Sequence, residues 1–334
     1  MNMKSRERVK KAISAGKVDR IPHFLPDGKE NDLIWLWMDK PAPLVDWTND
    51  GDQDFMTDCW GVSFKRMAGG VLGRGEVSEA ALKDISKQED FPFPDLNNPI
   101  YLQKAADIIK DNELLDDPKY CLGVMPFSSM NEGIHNITGI ESMFLAYYED
   151  PDQLKALIAR FAAAQRESMR QLKAIGCDGV MAYDDWGLQN SLMISLDMIR
   201  EFFLPHYREN WAYAHELGMD VWLHSCGYIL ELLPDLIDAG LNVVQMDQQE
   251  NMGIENLADK VDGKLSFWCP VDIQRTMVEG TNEDIDLYVK RMVETLGRNH
   301  NGLISMAYTT PDDINHTAEK IKIMCDAFRR YGKY

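Results

Sequence analysis

The sequence predicts an α/β protein built as a single (β/α)8 TIM barrel with a short helical segment in front of it. Three observations carry this. From residue 119 onward, apolar runs of about five residues alternate with helical stretches, the signature of a parallel sheet buried on both faces. Each apolar run stops at a cluster of polar residues, as strands do at the catalytic end of such a barrel. No Gly-rich phosphate turn follows the first strand signal, which weakens the competing doubly wound open sheet. The chain has 334 residues, enough for one large barrel, and shows no Pro-, Ser- or Gly-rich linker, so residues 1–334 are read as one domain with residues 1–20 as its N-terminal helical extension.

In chain order, residues 5–16 read as a short amphipathic helix carrying Val9, Ala12 and Ile13. A strand follows at 21–25, closed by Pro26-Asp-Gly28. Residues 29–100 read as irregular and rich in Trp and Asp, with Trp60–Arg66 and Gly73–Val77 as a possible hairpin and one further barrel strand hidden among them. Residues 97–115 look helical. The runs at 120–125, 179–183, 220–223, 242–246, 264–268 and 302–307 are six barrel strands, and 151–175, 195–217 and 283–296 are helices between them. With the two earlier strands the total is eight.

Composition narrows the function classes. With 35 basic against 54 acidic side chains the formal charge is −19, and no Lys/Arg cluster is present to meet nucleic-acid phosphates or anionic lipid. No apolar run approaches the ~20 residues that span a bilayer, and the charged N-terminus has no apolar signal region. The expected location is cytoplasmic, where six cysteines are thiols or metal ligands rather than a disulfide framework.

The sharpest motif is His224-Ser-Cys226. Residues i and i+2 of a strand point to the same side, so an imidazole and a thiol converge at one strand end, and both are preferred zinc ligands. Cys269, ending the next strand but one, is expected as the third ligand and Asp247, between them, as a fourth. The other cysteines (59, 121, 177 and 325) are expected to be core or packing residues. In Tyr183-Asp-Asp-Trp-Gly187 the two aspartates point to opposite sides, so at most one of Asp184 and Asp185 faces the axis as a catalytic or orienting carboxylate. Asn131, Glu132 and His135 follow another strand end and either line the same mouth or begin the next helix. Trp186 and Trp268, beside the polar clusters, are expected as walls of a pocket for a flat or apolar ligand.

Several of these segments resemble the uroporphyrinogen decarboxylase superfamily: Ser5-Arg-Glu-Arg-Val-Lys-Lys-Ala-Ile13, Asp19-Arg-Ile-Pro22, Asp184-Asp-Trp-Gly-Leu-Gln189, Pro205-His-Tyr207, His224-Ser-Cys-Gly227, and Phe267 to Asp272 followed by Gln274. The resemblance covers nearly the whole chain and implies the barrel fold. Its members include decarboxylases and methyltransferases. The place where the decarboxylases carry arginines for porphyrinogen carboxylates reads Phe24-Leu-Pro-Asp-Gly-Lys-Glu-Asn31, without Arg. The His-x-Cys pair resembles the zinc hook of the corrinoid-dependent methyltransferases and of cobalamin-independent methionine synthase. The cysteine those relatives usually carry after the last strand is absent from Met306-Ala-Tyr-Thr-Thr310. The resemblance thus implies a zinc methyltransferase that moves a methyl group between a small substrate and the cobalt of a corrinoid held by a separate partner protein. An aromatic methyl ether is the favoured substrate, as in the first components of O-demethylases, with Asp184 or Asp185, Glu132, Tyr183 and Tyr308 near its ring. The alternatives are a methylcorrinoid:thiol methyltransferase and a metal-free lyase with an Asp as the key acid.

Overall fold

The computed structural model describes residues 3–68, 75–298, 302–314 and 316–334. Its strands are β1 (His23–Phe24), β2 (Leu33–Leu36), β3 (Val45–Asp50), β4 (Gln53–Thr57), β5 (Ser63–Met67), β6 (Glu76–Glu79), β7 (Tyr120–Val124), β8 (Gly179–Tyr183), β9 (Asp220–His224), β10 (Val243–Gln245), β11 (Ser266–Cys269) and β12 (Leu303–Met306). Eight of them form one parallel sheet in the order β1-β12-β11-β10-β9-β8-β7-β2. The two ends of that sheet meet where the Asp32 amide donates to the His23 carbonyl at 2.9 Å, so the sheet curls into a nearly closed barrel. Helices return the chain between successive strands: α3 (Asn131–Thr138), α4 (Ile140–Glu149) and α5 (Pro151–Ile175) after β7, and α6 (Leu196–Phe202) and α7 (Leu204–Glu216) after β8. Then come α8 (Leu233–Ala239), α9 (Ile254–Val261), α10 (Thr276–Glu279), α11 (Asn282–Met292) and α12 (Ala318–Tyr331); α1 (Ser5–Ile13) and α2 (Gln103–Asn112) precede β7.

Strand alternation sorts the apolar residues into two cores. Leu122, Met181, Trp222, Val243, Trp268 and Ile304 fill the barrel interior. Their neighbours Cys121, Val180, Leu223, Val244, Phe267 and Leu303 fill the layer between sheet and helices. Cys177 and Cys325 are buried in that outer layer and Cys59 packs against it, as their positions in sequence suggest.

Helix α1 plugs the N-terminal end of the barrel. Val9 enters the interior core, and the Ser266 hydroxyl donates to the Ala12 carbonyl at 3.1 Å. Behind it, Arg8 bridges Asp19 (2.7 Å) and Asp32 (2.5 Å), while Arg20 donates to Asp32 at 2.6 Å. Asp32 is fully buried, so two guanidinium groups and the His23 amide satisfy a carboxylate that would otherwise be strongly disfavoured there. This explains why Arg8, Asp19 and Arg20 stand where they do in the N-terminal motif.

Three expectations are refined. The hidden eighth strand is β2. Residues 45–79 are not irregular: β3, β4, β5 and β6 make a four-stranded antiparallel sheet, in which the hairpin places Phe64 opposite Val77. Gly73 and Arg74 of that hairpin lie outside the described residues. Val62 and Phe64 are buried under the sheet, and the Trp60 ring stacks on Phe161 of α5 at 5.3 Å. The stretch 195–217 is two helices because Pro205, in the first turn of α7, has no N–H to continue α6.

Candidate metal centre

One register row crosses the upper barrel. Tyr183 pairs with His224, His224 with Gln245, Gln245 with Trp268, and Trp268 with Ile304. Tyr183, Trp268 and Ile304 belong to the interior core, and paired residues of a parallel sheet share a face, so His224 and Gln245 point inward as well. Two residues further along each strand, beyond its regular end, stand Asp185, Cys226 and Asp247.

Asp185, His224 and Cys226 converge: one ligand atom from each lies within 4.8 Å of the others. Cys226 Sγ is 3.3 Å from His224 Nε2, and Nε2 is 3.4 Å from Asp185 Oδ1. Asp185 Oδ1 also accepts from the Cys226 amide at 2.7 Å, which ties the two loops together. The opposite nitrogen, His224 Nδ1, is bonded to Gln245 Oε1. The amide orientation is set from behind, because Gln245 Nε2 donates to Asp247 Oδ1 at 2.9 Å. Nδ1 therefore carries the proton, and Nε2 presents its lone pair to the cluster, as a metal-ligating histidine does.

The electrostatics favour a cation. Burial pushes the Cys226 thiol pKa up, and the charges acting most on it, Asp185, Asp247 and Glu132, are acidic and push it further. Burial likewise raises Asp247, with the hydrogen bond from Gln245 opposing the rise. A thiol, a carboxylate and an imidazole within reach of one point make a mixed S/O/N donor set, which suits Zn²⁺ with a position left for a substrate atom.

The loops that hold the set are packed backbone to backbone. Gly227 has φ +75°, and a Cβ built there would sit 2.3 Å from the Gly187 carbonyl oxygen; one built on Gly187 would sit 2.3 Å from the Tyr228 amide nitrogen. Only glycine admits this approach, which explains why Asp-Asp-Trp-Gly and His-Ser-Cys-Gly both end as they do.

Asp184 turns away from the axis. It is fully buried and accepts from the Ser129 hydroxyl (2.6 Å), the Tyr207 hydroxyl (2.5 Å) and the backbone amides of Met130 and Asn131. Burial lifts its pKa to about 6, with these hydrogen bonds opposing the rise. It pins the start of α3 to β8, and Tyr207 of the Pro205-His-Tyr207 motif supports it from α7. Of the two aspartates, Asp185 is the one that joins the cluster.

Other expected site residues stand elsewhere. Cys269 is fully buried in the outer layer, because its strand neighbour Trp268 takes the inward position. The structure does not bring it to the His224–Cys226 pair. Asp247 is near the cluster but is engaged by Gln245 rather than grouped with the three donors. Trp186 is no pocket wall: it is buried against Phe203 and donates to the Tyr207 hydroxyl at 3.2 Å. Tyr308 packs toward His316, with 6.4 Å between ring centroids. Trp268 does face the interior, in contact with Phe24, Trp35 and Trp222. Glu132 and His135 stand in different surroundings. They lie on α3, yet Glu132 lines the adjoining cavity, and the Asp185 charge reaches the His135 imidazole, whose pKa burial lowers.

That cavity, of about 610 Å³, opens between the antiparallel sheet and the end of β7 and is lined by Trp37, Trp47, Trp60, Phe127, Glu132 and Tyr183, among others. Tyr183 connects it to the donor cluster, its ring 5.1 Å from that of His224. Sequence reasoning missed Gln245, although an amide following two valines near the end of the run Asn242–Met246 is a usable signal. It also missed the Trp residues of 29–60, which no periodicity assigned to an element.

Residues 62–331 match the family described as uroporphyrinogen decarboxylase (URO-D). Among solved structures, the chain is similar to a methyltransferase from Methanosarcina mazei, with a TM-score of 0.70 at 14% identity over 99% of both chains. It is more distantly similar to a D-psicose 3-epimerase with D-tagatose from Clostridium cellulolyticum H10, with a TM-score of 0.43 at 12% identity, over 74% of this chain and 86% of that one. At these identities the likenesses speak for the fold alone. No curated protein matches the chain. Among the described residues no helix is long and apolar enough to cross a membrane.

Proposed function

The chain belongs to the uroporphyrinogen decarboxylase family, and on that premise we propose that it is a zinc-dependent methyltransferase, moving a methyl group between a small substrate and the cobalt of a corrinoid carried by a separate protein. The observation that carries this reading is the Asp185–His224–Cys226 cluster with its tautomer-fixing Gln245. An aromatic methyl ether is the favoured substrate, because the adjoining cavity is walled largely by aromatic rings.

In this proposal Asp185, His224 and Cys226 hold the zinc. Bound there, it supplies a Lewis acid that stabilises negative charge on the atom giving up or receiving the methyl group. Gln245 keeps the His224 proton on Nδ1, and Asp247 keeps Gln245 in register. Asp184 holds α3 so that Glu132 and His135 face the substrate, and Tyr183 closes the cavity against the donors. The decarboxylase chemistry in the family's description fits less well. Substrates with several carboxylates need cations around them, and among the described residues lining this cavity Lys40 is the one basic side chain.

The test is a methyl-transfer assay on zinc-loaded protein, run with Co(I) cobalamin and a panel of methoxyaromatics, methanol and methylamines as methyl donors, and with methylcobalamin and thiols as methyl acceptors. Turnover with a methoxyaromatic, abolished in Cys226→Ala, is expected. Turnover with thiols alone moves the assignment to the methylcorrinoid:thiol reaction, and decarboxylation without metal removes methyl transfer altogether.

A further inference from the structure

Among the described residues, three charged side chains line the cavity between the antiparallel sheet and the end of β7: Lys40, Asp58 and Glu132. Their situations differ. Asp58 Oδ1 accepts from the backbone amides of Trp60 (2.9 Å) and Val62 (3.1 Å) and so shapes the turn before β5. Glu132 belongs to the donor end, where its charge reaches the Cys226 thiol. Lys40 is seated over the Trp37 ring, with Nζ 5.9 Å from the centroid. Trp37 packs on Tyr183 at 5.5 Å, and Tyr183 on His224 at 5.1 Å. Along this wall two rings, both lining the cavity, stand between the ammonium and the donor cluster.

The local sequence holds Lys40 in this place. Strand β2 ends at Leu36, and the Asp39 amide just beyond it donates to the Tyr101 carbonyl at 2.8 Å. Pro41 restricts the backbone of Lys40 to extended conformations, and Pro43 stiffens the segment that follows. The cavity is therefore polar lengthwise, with an acidic side chain at its donor end and a basic one on the wall beyond the two rings.

We infer that the substrate is an aromatic ether bearing one carboxylate, and that Lys40 binds this carboxylate and so turns the ether towards Tyr183 and the donor cluster. The aromatic walls alone do not select a charge, since their faces accept neutral rings and cations equally well. Lys40 makes the selection. It attracts an anionic group, Glu132 repels the same group from the donor end, and the two effects act in one direction along the cavity. One cation matches one anion, and a carboxylate is ionised at neutral pH where a phenol is not. Two intervening rings also separate the carboxylate from the ether, which favours substituents on opposite sides of the substrate ring over neighbouring ones. Lys40 is thus a specificity-determining residue with no part in the transfer itself. The inference rests on the site and the ether of the proposed function, and its test reads binding alone.

Zinc-loaded protein is titrated calorimetrically, without corrinoid, with three probes of one shape and different charge: 4-methoxybenzoate, 4-methoxybenzamide and 4-methoxybenzamidinium. A fourth probe, 2-methoxybenzoate, keeps the charge and moves the ether beside it. The 4-methoxybenzoate is expected to bind about tenfold more tightly than each of the other three, with an advantage over the amide that shrinks as ionic strength rises. Lys40→Met is expected to abolish that advantage while leaving the affinity for 4-methoxybenzamide unchanged, and Lys40→Arg to keep most of it. Five results overturn the inference: no binding of 4-methoxybenzoate, binding no tighter than that of the amide, tightest binding of the amidinium, equal binding of the 2- and 4-isomers, or undiminished 4-methoxybenzoate affinity in Lys40→Met. Loss of the amide together with the benzoate in Lys40→Met also overturns it, because Lys40 then shapes the cavity instead of reading charge. Methyl transfer from uncharged ethers as readily as from 4-methoxybenzoate leaves the proposed reaction standing without this specificity. Charge-selective binding without methyl transfer does the reverse.

Discussion

Cys226 Sγ lies 3.3 Å from His224 Nε2, while the other ring nitrogen of that histidine is occupied by Gln245. The imidazole therefore meets the thiol with a lone pair, which accepts the S–H and, once the thiol gives up its proton, leaves two donor atoms suited to sharing a cation.

Gln245 is accordingly a lever on metal affinity. Gln245→Leu removes the acceptor that holds the proton on Nδ1 and is expected to weaken zinc binding by about 10- to 100-fold. A competition titration against a chromophoric chelator measures it. Unchanged affinity means the amide does not set the tautomer.

Gly227 tests the loop packing. Gly227→Ala places a methyl group 2.3 Å from the Gly187 carbonyl oxygen at φ +75°, whereas Gly51→Ala meets nothing within 4 Å at φ +67°. The second variant carries only the left-handed backbone penalty, about 1 kcal/mol. The first is expected to cost clearly more in denaturant unfolding and to lose zinc. Equal costs in the two variants contradict the close-packing account.

The barrel plug has its own test. Asp32→Asn leaves Arg8 and Arg20 without their shared buried counter-charge. Removing one partner of a buried pair typically costs about 3–5 kcal/mol, and a loss of that size in urea unfolding is expected. A loss below about 1 kcal/mol places the network in the solvent-screened class.

His23 predicts a pH slope. Burial, aided by Arg20, Arg329 and Arg8, lowers its pKa from 6.5 to about 3. The folded form then stays neutral where the unfolded chain takes up a proton, so stability falls as pH drops from about 6.5 towards about 3. The contribution is about 1.4 kcal/mol per pH unit within that window. His23→Gln is expected to flatten the stability profile between pH 6 and 4 relative to the parent. Parallel profiles contradict the buried neutral imidazole.

The sequence is informative where period and burial agree. Helix α5 begins at Pro151 and ends at Ile175, as its stripe and its flanking Gly176 indicate, and the six later strands are largely apolar because both faces are covered. Strand β3, Val-Asp-Trp-Thr-Asn-Asp, is almost wholly exposed, so no alternation marks it. At the site, alternation had more to say than composition. His224 and Cys226 share a face. Trp268 and Cys269 are adjacent, so an inward Trp268 commits Cys269 to the outer layer, and likewise an inward Asp185 commits Asp184 and Trp186 outward. Which of two adjacent residues turns inward depends on register with neighbouring strands, and that is fixed only when the barrel closes.

The most direct measurement of the central claim is zinc content per chain in the purified parent protein and in Asp185→Ala, Cys226→Ala and Cys269→Ala. The account predicts one zinc per chain in the parent, well under one in the Asp185 and Cys226 variants, and one in the Cys269 variant. Stoichiometric zinc retained without Cys226, or lost on changing Cys269, contradicts it.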